Sequence, residues 1–174
     1  MNPSTLSSLL FTLSLILISH APLPTSGASR CESLCNEAGN DKGSCLQFVK
    51  ANPKLASAND DLKLSKLVLE IGVKRAIEGQ KYLKEIMKSD PSPAIRQCAT
   101  TLYDGVVGSF RSSLGELKLD ALTANYDAKV AGDGPTTCDT ALAAERINNP
   151  SIAALNKEIL LISKIAFLAT NSLA

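Results

Sequence analysis

Five cysteines constrain this chain more than any other feature of its sequence. They stand at Cys31, Cys35, Cys45, Cys98 and Cys138. Cys98 and Cys138 bracket a long helical pattern and the turn-rich segment 131–135, so a bond between them would join two neighbouring helices as an antiparallel pair. The count is odd, so one thiol is left over if the other four are paired.

The first 28 residues have the features of a secretory signal peptide. They contain no Lys, Arg, Asp or Glu, and residues 6–18 are apolar apart from Ser and Thr. Ser26-Gly27-Ala28 offers the small residues that a signal peptidase reads. The apolar run is shorter than the roughly 20 residues of a membrane span. We therefore expect secretion, a mature chain from about Ser29, and cysteines that form disulfides.

The remaining composition excludes several classes of protein. The only histidine, His20, lies in the leader, so the mature chain can form neither a Ser-His or Cys-His catalytic pair nor a His-ligated zinc site. Its 18 basic and 17 acidic residues give no general reason to expect nucleic acid or anionic lipid as a partner. Acidic pairs such as Asp60 and Asp61 are interpreted as caps. We expect no catalytic activity, cofactor or metal.

Residues 29–55 are expected to form a helical hairpin. A first helix of two turns from about Glu32 leads to a turn at 39–43, and a second helix from Cys45 ends before Pro53. Its apolar face would consist of Leu34, Leu46 and Val49. Isolated helices of this length are marginal, so a local disulfide to Cys45 would hold the hairpin closed and contribute about 3 kcal/mol.

Residues 59–174 carry four amphipathic helical patterns separated by Pro- and Gly-rich turns. They run from Leu62 to Met87, onward from about Pro93, from Asp120 to Ala131, and onward from Pro150. A further turn begins at 136–139. The buried stripe of the second pattern would include Leu102, Val106 and Phe110, and that of the third Leu122, Tyr126 and Val130. With hardly any strand signal, we predict an all-α fold, an up-down-up-down four-helix bundle preceded by the hairpin.

The cysteines and their neighbours are similar to those of a known family. Leu46 follows Cys45, Pro53 stands eight residues after Cys45, and Thr137-Cys138-Asp139 forms a Thr-Cys-acidic element. Over essentially its whole mature length the chain resembles the plant invertase and pectin methylesterase inhibitor family. The resemblance implies two disulfides, Cys35 with Cys45 and Cys98 with Cys138. It leaves Cys31 as the free thiol, with a Cys31 to Cys45 bond as the alternative.

Four features depart from the family pattern. Nine residues rather than eight separate Cys35 and Cys45, and Tyr103 follows Cys98 by five residues rather than four, so Leu102 could replace it as the anchor of that helix. Leu142 stands where a phenylalanine is common. Invertase inhibitors carry a Pro-Lys-Phe element that enters the target's active site, whereas the matching place here reads Ala121-Leu122-Thr123.

The resemblance implies a non-catalytic inhibitor that docks beside the catalytic cleft of a secreted plant carbohydrate-active enzyme in a one-to-one complex. We expect pectin methylesterase as the target and the apoplast or cell wall as the location, with acid invertase and the vacuole as alternatives. A binding or allergen-type protein without inhibitory activity, and an enzyme using a reactive Cys31, are the other hypotheses. The expected contact residues are Asn125, Tyr126, Asp127 and Lys129; the alternative is a solvated helix with Tyr126 in the core.

Overall fold

The computed structural model describes residues 26–174, which form helices and turns without a strand. Residues 1–25 of the predicted signal peptide lie outside the described residues. In the described part, no helix is long and apolar enough to span a membrane. The all-α fold class predicted from the sequence is confirmed.

The N-terminal hairpin consists of α1 (Ser26–Glu37) and α2 (Lys42–Ala51). A 3-10 turn, Gly39–Asp41, joins them, and Gly39 adopts a positive φ of 60°, which glycine accepts without strain. The disulfide between Cys35 and Cys45 closes the hairpin with its Cα atoms 5.4 Å apart. Leu34 is buried, but Leu46 is exposed, so the predicted apolar face was wrong at that residue.

A second 3-10 turn, Pro53–Ser57, leads from the hairpin into the bundle. The bundle helices are α3 (Asp61–Ser89), α4 (Pro93–Gln97), α5 (Tyr103–Glu116), α6 (Ala121–Val130), α7 (Asp133–Ala144) and α8 (Pro150–Asn171). A π-helical turn, Cys98–Leu102, makes α4 and α5 one continuous column. Together α6 and α7 form a second broken column, interrupted at residues 131–132.

The bundle helices begin where the sequence supplies caps. The side chains of Asp60, Ser92, Asp120 and Asn149 each accept a hydrogen bond from a backbone N–H of the following first turn. Such caps satisfy donors that have no partner within the helix. Pro93 and Pro150 occupy first-turn positions, where proline lacks only a donor that would be unpaired anyway. The predicted starts of α3, α4 and α8 are therefore confirmed within one residue.

The four columns pack as a ring. Helix α3 packs against α5 and α8, and α6 packs against the same two helices from the other side. Consequently α3 and α6 occupy diagonal corners of the bundle, and their outward faces point in opposite directions. The second disulfide, Cys98 to Cys138, ties the π turn to α7 with Cα atoms 5.1 Å apart.

Helix α7 begins earlier than the sequence suggested. The segment expected to be a turn, Gly134-Pro135, lies in its first helical turn. Gly134 is needed there because a Cβ atom would lie 2.5 Å from Val106 Cγ2 and 2.9 Å from the Leu102 carbonyl oxygen. The glycine therefore marks a close contact between α7 and α5, and not a chain reversal.

Close helix contacts occur at some glycines of the bundle and not at others. A Cβ atom at Gly105 or Gly108 would meet nothing within 4 Å, so these glycines permit no close approach. On α3, a Cβ atom at Gly72 would lie 2.8 Å from the ring of Phe110. The ring of Phe110 thus fills the space that Gly72 leaves open, and this brings α3 and α5 together.

The π turn directs Tyr103 into the core despite the additional residue between Cys98 and Tyr103. The Tyr103 amide donates to the carbonyl oxygen of Cys98, five residues back, which accommodates the additional residue between them. Tyr103 is fully buried, and its hydroxyl donates to Asn156 Oδ1 at 2.7 Å. Leu102 is only half-buried. The expectation that Leu102 could replace Tyr103 as the anchor was therefore wrong.

Candidate functional site

Helix α6 packs on the bundle through its smallest side chains. Ala124 and Ala128 are fully buried, whereas Leu122 and Tyr126 are 70% and 66% exposed. Ser113 Oγ donates to the Ala124 carbonyl oxygen at 2.6 Å, and Ser163 Oγ donates to that of Ala128 at 2.8 Å. Serine hydroxyls can reach these carbonyls only because the alanine face lets the backbones approach. The predicted buried stripe was therefore wrong at Leu122 and Tyr126, and so was the alternative that places Tyr126 in the core, whereas Val130 is half-buried.

Three large apolar side chains in or just before α6 are exposed to solvent. Leu119, 82% exposed, precedes the helix, and Leu122 and Tyr126 lie one turn apart on it. We call these three residues the α6 apolar strip. Most exposed apolar residues occur singly, and a group of them at one place is typical of an interaction site.

Asp120 fixes the start of α6 between Leu119 and Leu122. Its Oδ1 accepts from the Thr123 amide at 3.1 Å, and its Oδ2 accepts from Thr123 Oγ1 at 2.8 Å. These hydrogen bonds to the charged form, that of the Thr123 amide first, lower the pKa of the Asp120 carboxyl. The cap thus favours the charged form of Asp120, the form that accepts both hydrogen bonds at the first turn of α6.

The four residues predicted to contact a target differ in their surroundings. Tyr126 is directed to solvent, and Asp127 is half-buried. Asn125 Nδ2 donates to the Phe167 carbonyl oxygen at 2.8 Å and to Thr170 Oγ1 at 3.0 Å, so this side chain ties α6 to α8. Lys129 is exposed, with Nζ 5.8 Å from the centre of the Phe167 ring, within the range of a cation–π contact.

A groove of about 1180 Å³ separates the hairpin from the bundle. Its apolar lining includes Phe48 of α2, Ile71 of α3, and Leu161 and Phe167 of α8. Lys164 of α8 spans it to form an ion pair with Asp41. No sequence pattern predicted this groove, because it depends on how the hairpin rests against the bundle.

The hairpin is also held at its other end. Arg30 Nη1 lies 2.6 Å from Asp61 Oδ1, at the start of α3. Asp61 therefore serves as a helix-start charge and an anchor for α1, while its neighbour Asp60 is the cap. These contacts give both carboxylates structural partners, as the interpretation of Asp60 and Asp61 from the sequence required.

The remaining cysteine offers no reactive group at the surface. Cys31 carries a free thiol that is 1% exposed, and burial raises its pKa. A raised pKa keeps the thiol protonated, and the thiol is a much weaker nucleophile than the thiolate. Among residues 26–174, no cluster of His, Cys, Asp or Glu could hold a metal ion.

Comparison with known proteins identifies the family to which the chain belongs. A model of the plant invertase/pectin methylesterase inhibitor family matches residues 29–174. The chain belongs to this family. Members of the family are inhibitors rather than enzymes, so the chain is an inhibitor of the pectin methylesterase and invertase inhibitor class.

Two solved structures of the family resemble the chain. A mutant form of a pectin methylesterase inhibitor from Arabidopsis is 26% identical, with a TM-score of 0.71 over 82% of this chain and 95% of that one. A pectin methylesterase inhibitor from Arabidopsis thaliana is also 26% identical, with a TM-score of 0.61 over 84% and 97%. No curated protein matches this chain in sequence.

Sequence reasoning found the disulfides and missed the exposed face of α6. The two disulfides, which the family resemblance implied, are both present in the structure. Leu119 was missed because it lies outside the helical repeat, immediately before a cap. The spacing of Ala124 and Ala128, two small residues four apart, was the one signal that could have identified the buried face of α6.

Proposed function

We propose that this family member is a secreted inhibitor of pectin methylesterase that covers the catalytic cleft of the enzyme in a one-to-one complex. The observation that carries the proposal is the α6 apolar strip, in which Leu119, Leu122 and Tyr126 are all exposed. Both solved structures described above are pectin methylesterase inhibitors, which favours this target over acid invertase.

The bundle suits such an inhibitor because its binding surface is ordered before the partner arrives. Asp120 caps α6, Asn125 fixes it to α8, and Ser113 and Ser163 bond to its backbone. A surface held in this way loses little conformational entropy on binding. Tyrosine contributes a large contact area with few rotatable bonds, so Tyr126 is the expected centre of the interface.

The role of the other candidate residues follows from their contacts. Tyr126 would contact the enzyme directly, together with Leu119 and Leu122. Asp127 and Lys129 would form the polar margin of the interface, where charges affect association rate more than affinity. Asn125 would act through the position of α6, since its side-chain amide donates to Phe167 and Thr170 of α8.

The test is a side-by-side assay of residues 29–174 against a pectin methylesterase and an acid invertase. The proposal predicts inhibition of the methylesterase at equimolar inhibitor and little effect on the invertase. Inhibition of the invertase alone would show that acid invertase, and not pectin methylesterase, is the target. Full activity of both enzymes at micromolar inhibitor, from acidic to neutral pH, would leave a non-inhibitory binding protein on the same fold.

Secretion requires a separate test. The protein recovered from the apoplast should begin near Ser29, after removal of residues 1–28, and should contain both disulfides. N-terminal sequencing of the extracellular protein would check this. Recovery of the protein from the vacuole would contradict the apoplast as its location. An intact leader on the extracellular protein would contradict the predicted cleavage.

A further inference from the structure

The outward face of α3 carries six lysines. They are Lys63, Lys66, Lys74, Lys81, Lys84 and Lys88. At 3.6 residues per turn these positions fall within an arc of roughly 80° and extend over about 37 Å of helix. Glu70 and Ile77 are the other two residues of the same arc. Residues on the opposite side of α3, including Val68, Gly72 and Leu83, are buried in the core. We call the six lysines the α3 lysine stripe.

The stripe is only partly neutralised by neighbouring carboxylates. Lys66 lies 3.7 Å from Glu70, Lys74 3.9 Å from Glu78, and Lys88 2.7 Å from Glu85, all between exposed side chains. Exposed pairs of this kind are weak and exchange readily with other partners. Within residues 26–174, no ion pair joins Lys63, Lys81 or Lys84 to a carboxylate.

The stripe arises because basic residues are concentrated on one face of α3, and not because the protein as a whole is basic. The chain as a whole has a formal net charge of only +1. Since α3 and α6 occupy diagonal corners of the bundle, the stripe faces away from the α6 apolar strip. One molecule can therefore present both surfaces at the same time, and the two can be altered independently.

The stripe presents cations of one kind. All six are lysines, whose ammonium groups act as point charges and can pair with successive anions of a polymer without the fixed planar geometry of arginine. Arg75, the one arginine of α3, is engaged by Glu158 through Nε at 2.8 Å and Nη2 at 2.6 Å. No aromatic residue on which bases could stack lies within the arc of the stripe, and the one apolar residue within it, Ile77, is half-buried.

We propose that the α3 lysine stripe binds a linear polysaccharide that carries carboxylates along its repeating units. A row of about 37 Å meets several repeats of such a chain at once, so weak individual contacts add along the polymer. A methylesterase acting on pectin converts methyl esters into carboxylates, so its product has this chemistry. The choice of this polymer rests on the proposed function, whereas a row of exposed lysines that attracts a linear polyanion does not require that the chain inhibit any enzyme.

The test measures binding of residues 29–174 to polygalacturonate in low-salt buffer, with fully methyl-esterified pectin as the uncharged form of the same polymer. The variant K63Q/K81Q/K84Q removes the three lysines without a carboxylate partner. Its matched control, K42Q/K50Q/K54Q, removes the same charge from exposed lysines of the hairpin and the 3-10 turn after it. Thermal unfolding of both variants checks that the fold is retained.

We expect wild type to bind polygalacturonate but not the esterified polymer, and binding to weaken as salt is added. The stripe variant should bind about tenfold more weakly or worse, and the control within about twofold of wild type. Equal losses in both variants would show attraction by net charge and overturn the proposal. The proposal would also be overturned if wild type did not bind polygalacturonate, or if it bound duplex DNA or anionic phospholipid vesicles more tightly than polygalacturonate.

Inhibition assays of the same variants separate this proposal from the proposed function. Because the stripe faces away from α6, the variant K63Q/K81Q/K84Q should inhibit a soluble methylesterase as wild type does when a short substrate is used. Loss of inhibition by this variant alone would place the stripe in the enzyme interface instead, and would contradict the proposal.

Discussion

The backbone amide of Tyr103 donates to the carbonyl oxygen of Cys98, five residues earlier, and so closes a π-helical turn inside an otherwise α-helical column. The turn accommodates one residue more than an α-helix would between the two positions. It thereby allows Cys98 to reach Cys138 and the ring of Tyr103 to reach the core. The longer spacing and the buried tyrosine are thus parts of the same arrangement.

Deleting Thr101 should be tolerated. Thr101 is exposed within the π turn, and its removal would let the turn close as a regular α-helix with Tyr103 in nearly the same direction. Deleting Ser112, an exposed residue of regular α5, should instead rotate the following residues by roughly 100° and disrupt the bundle. Thermal unfolding of the two variants measures the difference. If both deletions are equally damaging, the π turn does not absorb the additional residue.

Tyr103→Phe should destabilise the bundle by about 1–3 kcal/mol. The substitution removes the donor that pairs with Asn156 Oδ1, whose amide also donates to Asp139 Oδ1 at 2.6 Å. The oxygen would then be buried without a partner. Chemical denaturation measures the change in unfolding free energy, with the exposed Tyr82→Phe as the control, expected within about 0.5 kcal/mol of wild type. Equal values for both variants would contradict a structural role for this hydrogen bond.

The same residue should make stability sensitive to alkaline pH. Burial, with smaller contributions from Asp139 and Glu158, raises the pKa of Tyr103 above its ordinary value near 10. In this range the unfolded chain loses the phenolic proton and the folded chain keeps it, so stability is complete below about pH 10 and falls above it. Unfolding temperature measured against pH should decline less steeply in Tyr103→Phe. Identical slopes would show that Tyr103 does not cause the decline.

Removing the disulfide between Cys98 and Cys138 should lower the free energy of unfolding by about 4 kcal/mol, because the bond closes a loop with a sequence separation of 40. The variant C98S/C138S tests this by denaturant unfolding. Replacing Cys35 and Cys45 should cost less, about 3 kcal/mol, since their separation is only 10. A larger loss for the hairpin pair would reverse the relative importance of the two bonds.

The sequence predicted those parts of the fold that depend on local chemistry. Asn149 and Pro150 determine the start of α8, and Ile152, Ile159 and Ile162 of this helix are buried. The family resemblance supplied the cysteine pairing, which spacing alone left open. These features depend on a few adjacent residues or on a shared pattern, so they could be found without coordinates.

The face of α6 could not be predicted in the same way. A reading based on apolar periodicity gives most weight to Leu122 and Tyr126, yet the bundle buries Ala124 and Ala128 because their size allows Ser113 and Ser163 to bond the helix backbone. Which face of α6 is buried therefore depends on the neighbouring helices α5 and α8. The groove beside Phe48 likewise depends on tertiary packing, and so does the direction of the α3 lysine stripe relative to α6.

The most direct test of the account is a titration of pectin methylesterase activity with wild type, Tyr126→Ala and Tyr82→Ala. Both tyrosines are exposed and lie on bundle helices, but only Tyr126 belongs to the α6 apolar strip. The account predicts inhibition by wild type and by Tyr82→Ala, and an inhibition constant raised about tenfold or more in Tyr126→Ala with unchanged unfolding temperature. Equal inhibition by all three proteins would contradict it.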